Sequence, residues 1–342
     1  MVNKCSIVIL NWNGRPFLER FLPSVTSYSE GSEIVVADNG SMDDSLDFLL
    51  HNYPQVRVIV LGNNYGFADG YNRAMREITS EYAILLNSDV EVSEGWLDPL
   101  LNVMDANPSV AAVMPKVLSY ADRSMFEYAG ASGGFIDMFG YPFCRGRVLQ
   151  YTEKDAGQYD DRREVFWATG ACMVVRTSVF HESGGFDADF FAHQEEIDLC
   201  WRMKLAGYKI MVEPSSEVYH IGGGTLSAES PRKVYLNHRN NLMMLYKNLS
   251  PRSVFFTVFF RLILDGGSAL VYLLKGNFKQ FKAVFSAHFS FYGMLGSLSY
   301  KRKQVQKMKK SSVNMFYRGS VVFKYFTGRR TFSEIVNNKK LR

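Results

Sequence analysis

The sequence predicts an α/β protein, with a mostly parallel sheet flanked by helices and a basic, helical C-terminal region. Three observations predict this fold class. Short apolar runs alternate with amphipathic segments up to residue 90, several of these runs end in polar or acidic residues, and residues 232–342 carry a net charge of +20 against −15 for the rest of the chain.

The alternation of elements predicts parallel strands. The apolar runs lack the polar alternation of a half-exposed strand, so they are typical of strands buried on both faces. A β-α-β-α-β-α-β order implies right-handed crossovers between parallel strands. The predicted strands lie at 7–10, 34–37, 56–61 and 83–86, and the predicted helices at 17–25, 45–50 and 70–78.

The turn after the first strand argues against a nicotinamide or flavin enzyme. A dinucleotide-binding domain requires G-x-G-x-x-G at this position, because its glycines let the backbone approach the pyrophosphate. Residues 11–16 are Asn-Trp-Asn-Gly-Arg-Pro instead.

The strand at 83–86 runs directly into Asn87, Ser88 and Asp89. Ligands of open α/β sheets bind outside the carboxyl ends of the strands, so Asp89 is placed to hold Mg²⁺ or Mn²⁺ together with substrate phosphates. The alternative is that Asn87 and Asp89 cap a helix beginning near Ser93. The local sequence leaves both interpretations open.

Asp38 ends the second strand, beside Asn11 at the end of the first. A carboxylate there can accept the imide N–H of a pyrimidine base, although acids before a helix also serve as caps and oppose the helix dipole. The next loop, residues 62–72, contains three glycines and three asparagines, which suits close approach of the backbone to a ligand.

Four motifs, at 6–14, 35–43, 64–68 and 86–89, resemble those of family 2 glycosyltransferases with the GT-A fold. The resemblance covers roughly residues 5–225. It implies inverting transfer of a sugar from a UDP- or dTDP-sugar to an acceptor hydroxyl. It also implies that Asp38 contacts the base and that Asp89 is the last acid of a D-x-D metal motif, in which Asn87 replaces the first acid.

The resemblance further implies a set of residues that line the nucleotide-sugar site. These are Asn11, Trp12, Asn13, Asp38, Asn39, Ser41, Asn64, Gly66, Asn72, Asn87, Ser88 and Gly170.

The middle of the chain is less regular. Residues 119–164 are rich in glycine and predict a long excursion that shapes an acceptor site or lid. Residues 165–175 predict one apolar strand, and residues 208–212 and 217–220 predict two separate short strands.

Glu195, Glu196 and Asp198 begin a predicted helix that ends at Gly207. One interpretation is compensation of the helix dipole, with Asp198 paired to Arg202 at i,i+4. The family resemblance implies instead that this acidic group contains the catalytic base. By position the base is Glu196, Glu195 is the reserve candidate, and Asp198 is the acid that follows the pair.

His220 is followed by residues 222–225, a glycine-rich stretch typical of loops that close over phosphates. An isolated histidine is more often structural, but in the resembling family this histidine joins the acid as a metal ligand. We therefore expect Asp89 and His220 to be the metal site.

The charge divides the chain into two parts, predicted as a catalytic domain over 1–230 and a membrane-associated helical region over 231–342. From Arg232 onward there are 22 Lys and Arg against two acids, whereas residues 1–231 have 17 against 32. A basic region of this kind meets a polyanion. We expect an anionic membrane surface and no nucleic acid.

Residues 254–274 are long enough to span a bilayer. However, Arg261 and Asp265 would each cost about 2.5–3.5 kcal/mol near a helix centre, while each large apolar residue returns only about 0.3–0.6 kcal/mol. The next segment predicts a helix lying in the membrane interface, with basic residues after it. Its stripe is Phe278, Phe281, Phe285, Phe289 and Tyr292.

These features predict a peripheral enzyme on the cytoplasmic membrane face, with a lipid-linked saccharide as acceptor. Two alternatives to this peripheral attachment stay open. The aromatic stripe could pack on the catalytic domain, or residues 254–274 could span the membrane. The four cysteines form no C-x-x-C pair, which predicts reduced thiols, and the first apolar run is too short for a signal peptide.

Two other functions stay open from the residues alone. A nucleotidyltransferase would carry a glycine-rich basic loop after its first strand, for which residues 11–15 are a weak substitute. A non-catalytic nucleotide-sugar or membrane-binding module would have no use for a carboxylate base.

Overall fold

The computed structural model describes residues 4–222, 230–313 and 315–336. Within this described part, the main sheet has nine strands, and a second, smaller sheet has five. The predicted α/β class is confirmed.

The first half of the sheet follows the predicted alternation. Parallel pairing gives the spatial order β3-β2-β1-β4. The elements are β1 (Cys5–Asn11), α1 (Arg15–Tyr28), β2 (Glu33–Asp38), α2 (Ser45–Asn52), β3 (Arg57–Val60), α3 (Gly66–Met75) and β4 (Tyr82–Asn87).

Residues 119–164 contain four short strands of the second sheet, which the sequence did not predict, and the role of this excursion in an acceptor site or lid stays a prediction. Cross-strand pairing, which local sequence does not reveal, organises these short strands. The chain continues through β5 (Val90–Val92), α4 (Leu97–Ala106) and β6 (Val110–Ser119). The second sheet then begins with β7 (Gly134–Asp137), β8 (Pro142–Cys144), β9 (Arg147–Val148) and β10 (Tyr151–Thr152).

The prediction of a single strand at 165–175 is wrong, because two separate strands lie in this region. Strand β11 (Arg163–Val165) and strand β12 (Cys172–Arg176) are separate, and β12 lies antiparallel between β4 and β6. Thr169 fixes the turn between them, because its hydroxyl donates to Ala129 O at 2.8 Å and accepts from Ala171 N at 3.1 Å.

The two short strands predicted at 208–212 and 217–220 form one continuous strand. Helices α5 (Thr177–Glu182) and α6 (Glu195–Leu205) precede strand β13 (Lys209–His220), which runs parallel to β6 with a register shift between Glu213 and Glu217. This bulge interrupts the sequence pattern without ending the strand. His220 therefore reaches the sheet edge as the last residue of a long strand.

The C-terminal region adds helices and one short strand. They are α7 (Pro231–Asn248), α8 (Val254–Leu274), α9 (Phe278–Gly293), α10 (Leu295–Met308), β14 (Phe316–Tyr317), α11 (Val321–Phe326) and α12 (Phe332–Ile335). Strand β14 pairs with β7, so the second sheet contains residues from both predicted domains.

Helix α7 also belongs to the main hydrophobic core. Leu242, Met243, Met244 and Leu245 are buried in the same cluster as the sheet strands. The domain division at residue 230 stays a prediction, but the described core continues across it.

Helices α8 and α9 expose apolar side chains. Helix α8 is long and apolar enough to cross a membrane by length and composition, and only 17% of its most apolar window is buried. On α9, Phe281 is half-buried, whereas Phe278, Phe285, Phe289 and Tyr292 are exposed and so do not pack on the sheet domain.

Candidate active site

The carboxyl ends of β1 and β2 place Asn11 beside Asp38, as the sequence predicted. Asn11 Nδ2 donates to Asp38 Oδ1 at 3.2 Å and to Ser41 Oγ at 3.1 Å, while Ser41 N donates to Asp38 Oδ2 at 3.1 Å. Asp38 is buried and rigidly oriented by these contacts. Trp12 and Asn13 are exposed beside it, and Asn13 N donates to Ser41 Oγ at 2.9 Å.

The asparagines of the third loop support its backbone. Asn39 Nδ2 donates to Gly66 O at 3.0 Å and to Asn64 Oδ1 at 3.3 Å, and Asn39 Oδ1 accepts from Tyr65 N at 3.0 Å. Gly66 has φ = +75°, and a Cβ there would lie 2.6 Å from the Phe191 ring. The loop therefore packs tightly against the segment that precedes α6.

Asp89 and His220 meet at the ends of neighbouring elements. His220 Nε2 lies 3.1 Å from Asp89 Oδ1, and His220 Nδ1 lies 3.2 Å from Glu127 Oε2. All three side chains are buried. Burial lowers the pKa of His220, but the two carboxylates outweigh burial and raise it to about 10.

These positions test the capping alternative for the residues after β4. Strand β5 separates Asp89 from α4, which begins at Leu97, so Asp89 is not a cap of that helix. Asn87 N donates to Ala171 O at 2.9 Å, which ties the end of β4 to the turn that contains Gly170. Ser88 is half-buried near Gly14.

The donor set suits a divalent cation. Once a cation displaces the proton from His220 Nε2, a carboxylate and a neutral imidazole at a strand end leave further coordination positions for phosphate oxygens and water. Among residues 4–222, 230–313 and 315–336, no three or more His, Cys, Asp or Glu form a group that could hold a metal by themselves. Asp89 and His220 stay the predicted metal site. Of the predicted loop after His220, only Gly222 is described, and residues 223–225 lie outside the described residues.

Glu195 and Glu196 begin α6 with unpartnered oxygens. The Oε2 atom of each is buried and has no hydrogen-bond partner. Burial, and then the charge of Glu196, raise the pKa of Glu195 well above its usual range. Burial likewise raises the pKa of Glu196 to about 7, against the opposing effect of backbone N–H groups at the helix start.

Glu196 lies on the same sheet edge as the strand ends. A Cβ placed on Gly170 would lie 3.8 Å from Glu196 Cβ and 3.4 Å from Phe67 Cζ. Glu196 is half-buried, whereas Glu195 is only 4% exposed. An incoming hydroxyl group therefore has better access to Glu196.

The acid pair follows a strained turn, residues 191–194. Phe191, His193 and Gln194 have φ values of 64°, 71° and 70°, a conformation that costs non-glycine residues roughly 1–2 kcal/mol each. Phe191 O accepts hydrogen bonds from Phe67 N at 2.7 Å and Ala68 N at 3.1 Å, at the start of α3.

Two asparagines of α7 hold this turn from the other side. Asn240 Nδ2 donates to Phe190 O, Ala192 O and His193 O at 3.0, 2.8 and 2.7 Å. Asn241 Nδ2 donates to Gln194 Oε1 at 2.9 Å. Such contacts allow strained backbone to persist at functional sites.

Asp198 does not join the acid pair. It is fully buried, with Arg202 Nε at 2.8 Å, Lys247 Nζ at 3.0 Å and Asn248 Nδ2 at 2.7 Å. The i,i+4 pair with Arg202 predicted from the sequence is present, and the network joins α6 to α7. Asn72 is likewise held by the chain, through paired 2.8 Å hydrogen bonds with the backbone of Phe186.

The structure thus brings most predicted residues to one sheet edge but adds others that sequence reasoning missed. Glu127 lies in the irregular middle segment, where no periodicity marks it. The roles of Gln194, Asn240 and Asn241 depend on contacts between distant segments. The one available signal was the Asn240–Asn241 pair beside the apolar residues 242–245.

A mostly parallel sheet with Asp38, Asp89 and a buried acid pair at one edge defines the class as a glycosyltransferase of the GT-A fold. The glycosyl transferase family 2 model matches residues 6–184, and the chain belongs to that family. The fold and family expected from the sequence are confirmed, and the nucleotidyltransferase alternative is not supported.

Rhamnosyltransferases are among the relatives of this chain. The chain is 27% identical over 262 residues to the N-acetylglucosaminyl-diphospho-decaprenol L-rhamnosyltransferase of Mycobacterium tuberculosis, covering 72% of this chain and 85% of that protein. It is also 27% identical over 225 residues to rhamnosyltransferase WbbL of Escherichia coli K12, covering 63% and 82%.

Solved structures share the fold. The crystal structure of GalNAc-T7 with UDP, GalNAc and Mn²⁺ superposes with a TM-score of 0.56 at 17% identity, and covers 72% of this chain and 48% of that one. The Pyrobaculum calidifontis mannosyltransferase in complex with GDP-Man and Mn²⁺ gives a TM-score of 0.50 at 13% identity, covering 84% and 87%.

Proposed function

We propose that this protein is an inverting glycosyltransferase of surface polysaccharide synthesis. It transfers a sugar from a UDP- or dTDP-sugar to a hydroxyl of a lipid-linked saccharide at the cytoplasmic face of the membrane. The observation that carries the proposal is Glu196, whose unpartnered carboxylate oxygen lies on the sheet edge that also presents Asp38 and Asp89.

The donor binds across the ends of β1, β2 and β4. Asp38 accepts the imide N–H of the pyrimidine, and Asn11 and Ser41 hold its carboxylate in place. The exposed ring of Trp12 offers an apolar surface beside the same strand end.

Asp89 and His220 would hold Mg²⁺ or Mn²⁺, and Glu127 would orient the imidazole from its Nδ1 side. A cation bound there supplies the charge that neutralises the departing diphosphate. The Mn²⁺ in the two GT-A structures above supports a divalent cation in this fold.

Glu196 accepts the proton of the acceptor hydroxyl. The hydroxyl oxygen forms a bond to the anomeric carbon on the face opposite the diphosphate, and the bond to the diphosphate breaks with its electron pair leaving on that group. The proton goes to Glu196, whose raised pKa suits a group that must accept it near neutral pH.

The name of one relative and the exposed surface of the C-terminal region support a lipid-linked acceptor. The mycobacterial relative is named for a decaprenol-linked acceptor. Helices α8 and α9 expose Phe255, Phe259, Phe285 and Phe289, and the nearby Lys275, Lys279 and Lys282 are exposed as well. An apolar surface with a basic border fits an anionic bilayer.

The base assignment predicts a large loss of turnover in Glu196→Gln. This variant keeps the size of the side chain but cannot accept the proton, so kcat should fall about 10²–10⁴-fold while donor affinity stays similar. Steady-state kinetics with donor titration measure both quantities. Glu182 is exposed, so Glu182→Gln is the control. A larger loss of kcat in Glu195→Gln than in Glu196→Gln would assign the base to Glu195.

The same assignment predicts the pH dependence. Only the carboxylate form of Glu196 is active as a base, and burial raises its pKa to about 7. The kcat/KM, which reports ionisations of the free enzyme, should therefore rise with pH through a limb near 7, and the residual kcat/KM of Glu196→Gln should lack that limb. A wild-type profile already flat from pH 5 upward would contradict the assignment.

The metal assignment predicts that Asp89→Ala nearly abolishes turnover and Mn²⁺ binding measured by calorimetry in the presence of nucleoside diphosphate. Removing Asp89 takes away the carboxylate that His220 cannot replace. Asp105→Ala is the matched control, because Asp105 pairs with Lys4 and Tyr82 at the opposite ends of β1 and β4. Full wild-type activity in EDTA would exclude the metal role.

The nucleotide assignment predicts that Asp38→Ala weakens donor binding and reduces discrimination between pyrimidine and purine donors, because the acceptor for the imide N–H is lost. Competition by UDP, dTDP and GDP measures both effects. Asp69→Ala is the control, since Asp69 pairs with Arg73 on α3. Unchanged affinity and unchanged selectivity would remove Asp38 from the nucleotide site.

The membrane assignment predicts salt-resistant binding to anionic phospholipid vesicles. Each buried Phe contributes about 1.5–3 kcal/mol, against about 1 kcal/mol for each Lys near the surface. Charges are screened within about 3 Å at 1 M salt, so binding that survives 1 M salt is apolar. Combined Ser substitution of Phe255, Phe259, Phe285 and Phe289 should release the protein in flotation assays. Unchanged flotation would contradict the assignment.

A further inference from the structure

Helix α8 carries a charged pair on its inner face. Its outer face exposes aromatic side chains, but Arg261 is 5% exposed and Asp265 is fully buried. Arg261 Nε donates to Asp265 Oδ1 at 2.7 Å. A buried ion pair is weak evidence for stability, because apolar residues of similar volume often stabilise as well or better. Stability alone therefore does not explain the buried pair of Arg261 and Asp265.

The hydrogen bonds of Arg261 lead, through Asn241, to the strained turn at residues 191–194. Arg261 Nη1 donates to Asn241 Oδ1. The other end of the same amide, Asn241 Nδ2, donates to Gly140 O at 2.8 Å and to Gln194 Oε1 at 2.9 Å. Gln194 is the last residue of the strained turn and immediately precedes Glu195 and Glu196.

Arg261 helps to fix which way the amide of Asn241 faces. An asparagine amide can present either its oxygen or its nitrogen in a given direction. The guanidinium only donates and Gly140 O only accepts, so together they fix the oxygen toward α8 and the nitrogen toward Gly140 and Gln194. Without Arg261, Asn241 Oδ1 loses its donor and the amide is held from one side only, which weakens its hydrogen bond to Gln194.

Other groups orient Arg261 itself. Asp265 is contacted by His288 Nε2 of α9 at 3.3 Å and by His238 Nε2 of α7 at 3.8 Å. The guanidinium carbon of Arg261 lies 3.9 Å from the ring centre of Tyr141. Three helices and the second sheet's loop thus hold one guanidinium in a single orientation.

We propose that Arg261, oriented by Asp265, is a positioning residue for the catalytic base. Through Asn241 and Gln194 it holds residues 191–194 in the conformation that presents Glu196. The proposal rests on the proposed function in assigning Glu196 as the base. It gives the helix with the exposed aromatic face a direct connection to the reaction.

The test compares Arg261→Met with Arg302→Met in the full chain. Arg302 also joins a C-terminal helix to α7, but it donates to the carbonyls of Tyr246 and Lys247 at the far end of that helix. We expect kcat to fall about 10–100-fold in Arg261→Met with donor KM nearly unchanged, and to stay near wild type in Arg302→Met. Arg261→Lys retains the charge beside Asp265 and provides the measurement if Arg261→Met does not fold.

A double-mutant cycle separates positioning from general loosening. If Arg261 acts through Glu196, its replacement should cost almost nothing further in a Glu196→Gln background. A loss in that background as large as in the wild type would overturn the proposal, as would unchanged kcat in both Arg261 variants.

Hydrogen exchange provides a readout independent of catalysis. Peptides covering residues 188–200 should exchange faster in Arg261→Met than in Arg302→Met, and equal exchange would contradict the relay. If Glu196→Gln alone keeps full activity, the base assignment fails, while the exchange result still decides whether Arg261 orders the turn.

Discussion

The site depends on one constraint, the strained turn at residues 191–194. Its positive φ values are unfavourable for Phe, His and Gln, so surrounding contacts must hold it. Asn240 donates to the carbonyl groups of Ala192 and His193 and to that of Phe190 just before the turn, and the start of α3 donates to that of Phe191. This arrangement sets where α6 begins and therefore where the carboxyl group of Glu196 lies relative to the strand ends.

Because α7 supplies those contacts, the C-terminal region is structurally part of the candidate active site. Lys247 of α7 pairs with Asp198 of α6, and both Lys247 and Lys301 of α10 contact Asp187. Some basic side chains of this region therefore form internal ion pairs with acidic residues of the sheet domain. The exposed lysines and aromatic residues of α8 and α9 remain available for the proposed bilayer contact.

The sequence revealed features that follow from local pattern. Uniform apolar runs predicted the parallel strands, and the ends of those strands predicted the adjacency of Asn11 and Asp38. Contacts between distant segments left no such pattern. Strand β12 lies antiparallel between β4 and β6, the second sheet recruits β14, and Glu127 reaches His220 from a segment without periodicity. The charges of α8 were costly for a spanning helix, and the structure pairs them on its inner face.

In the proposed reaction, the strained turn holds Glu196 opposite a cation bound by Asp89 and His220. A crystal structure of the full chain with Mn²⁺ and a non-hydrolysable donor analogue tests this most directly. We expect anomalous density for Mn²⁺ within coordination distance of Asp89 and His220, and the carboxylate of Glu196 facing the anomeric carbon on the side away from the diphosphate. A cation bound by other residues, or Glu196 turned away from the anomeric carbon with residues 191–194 unchanged, would contradict the account.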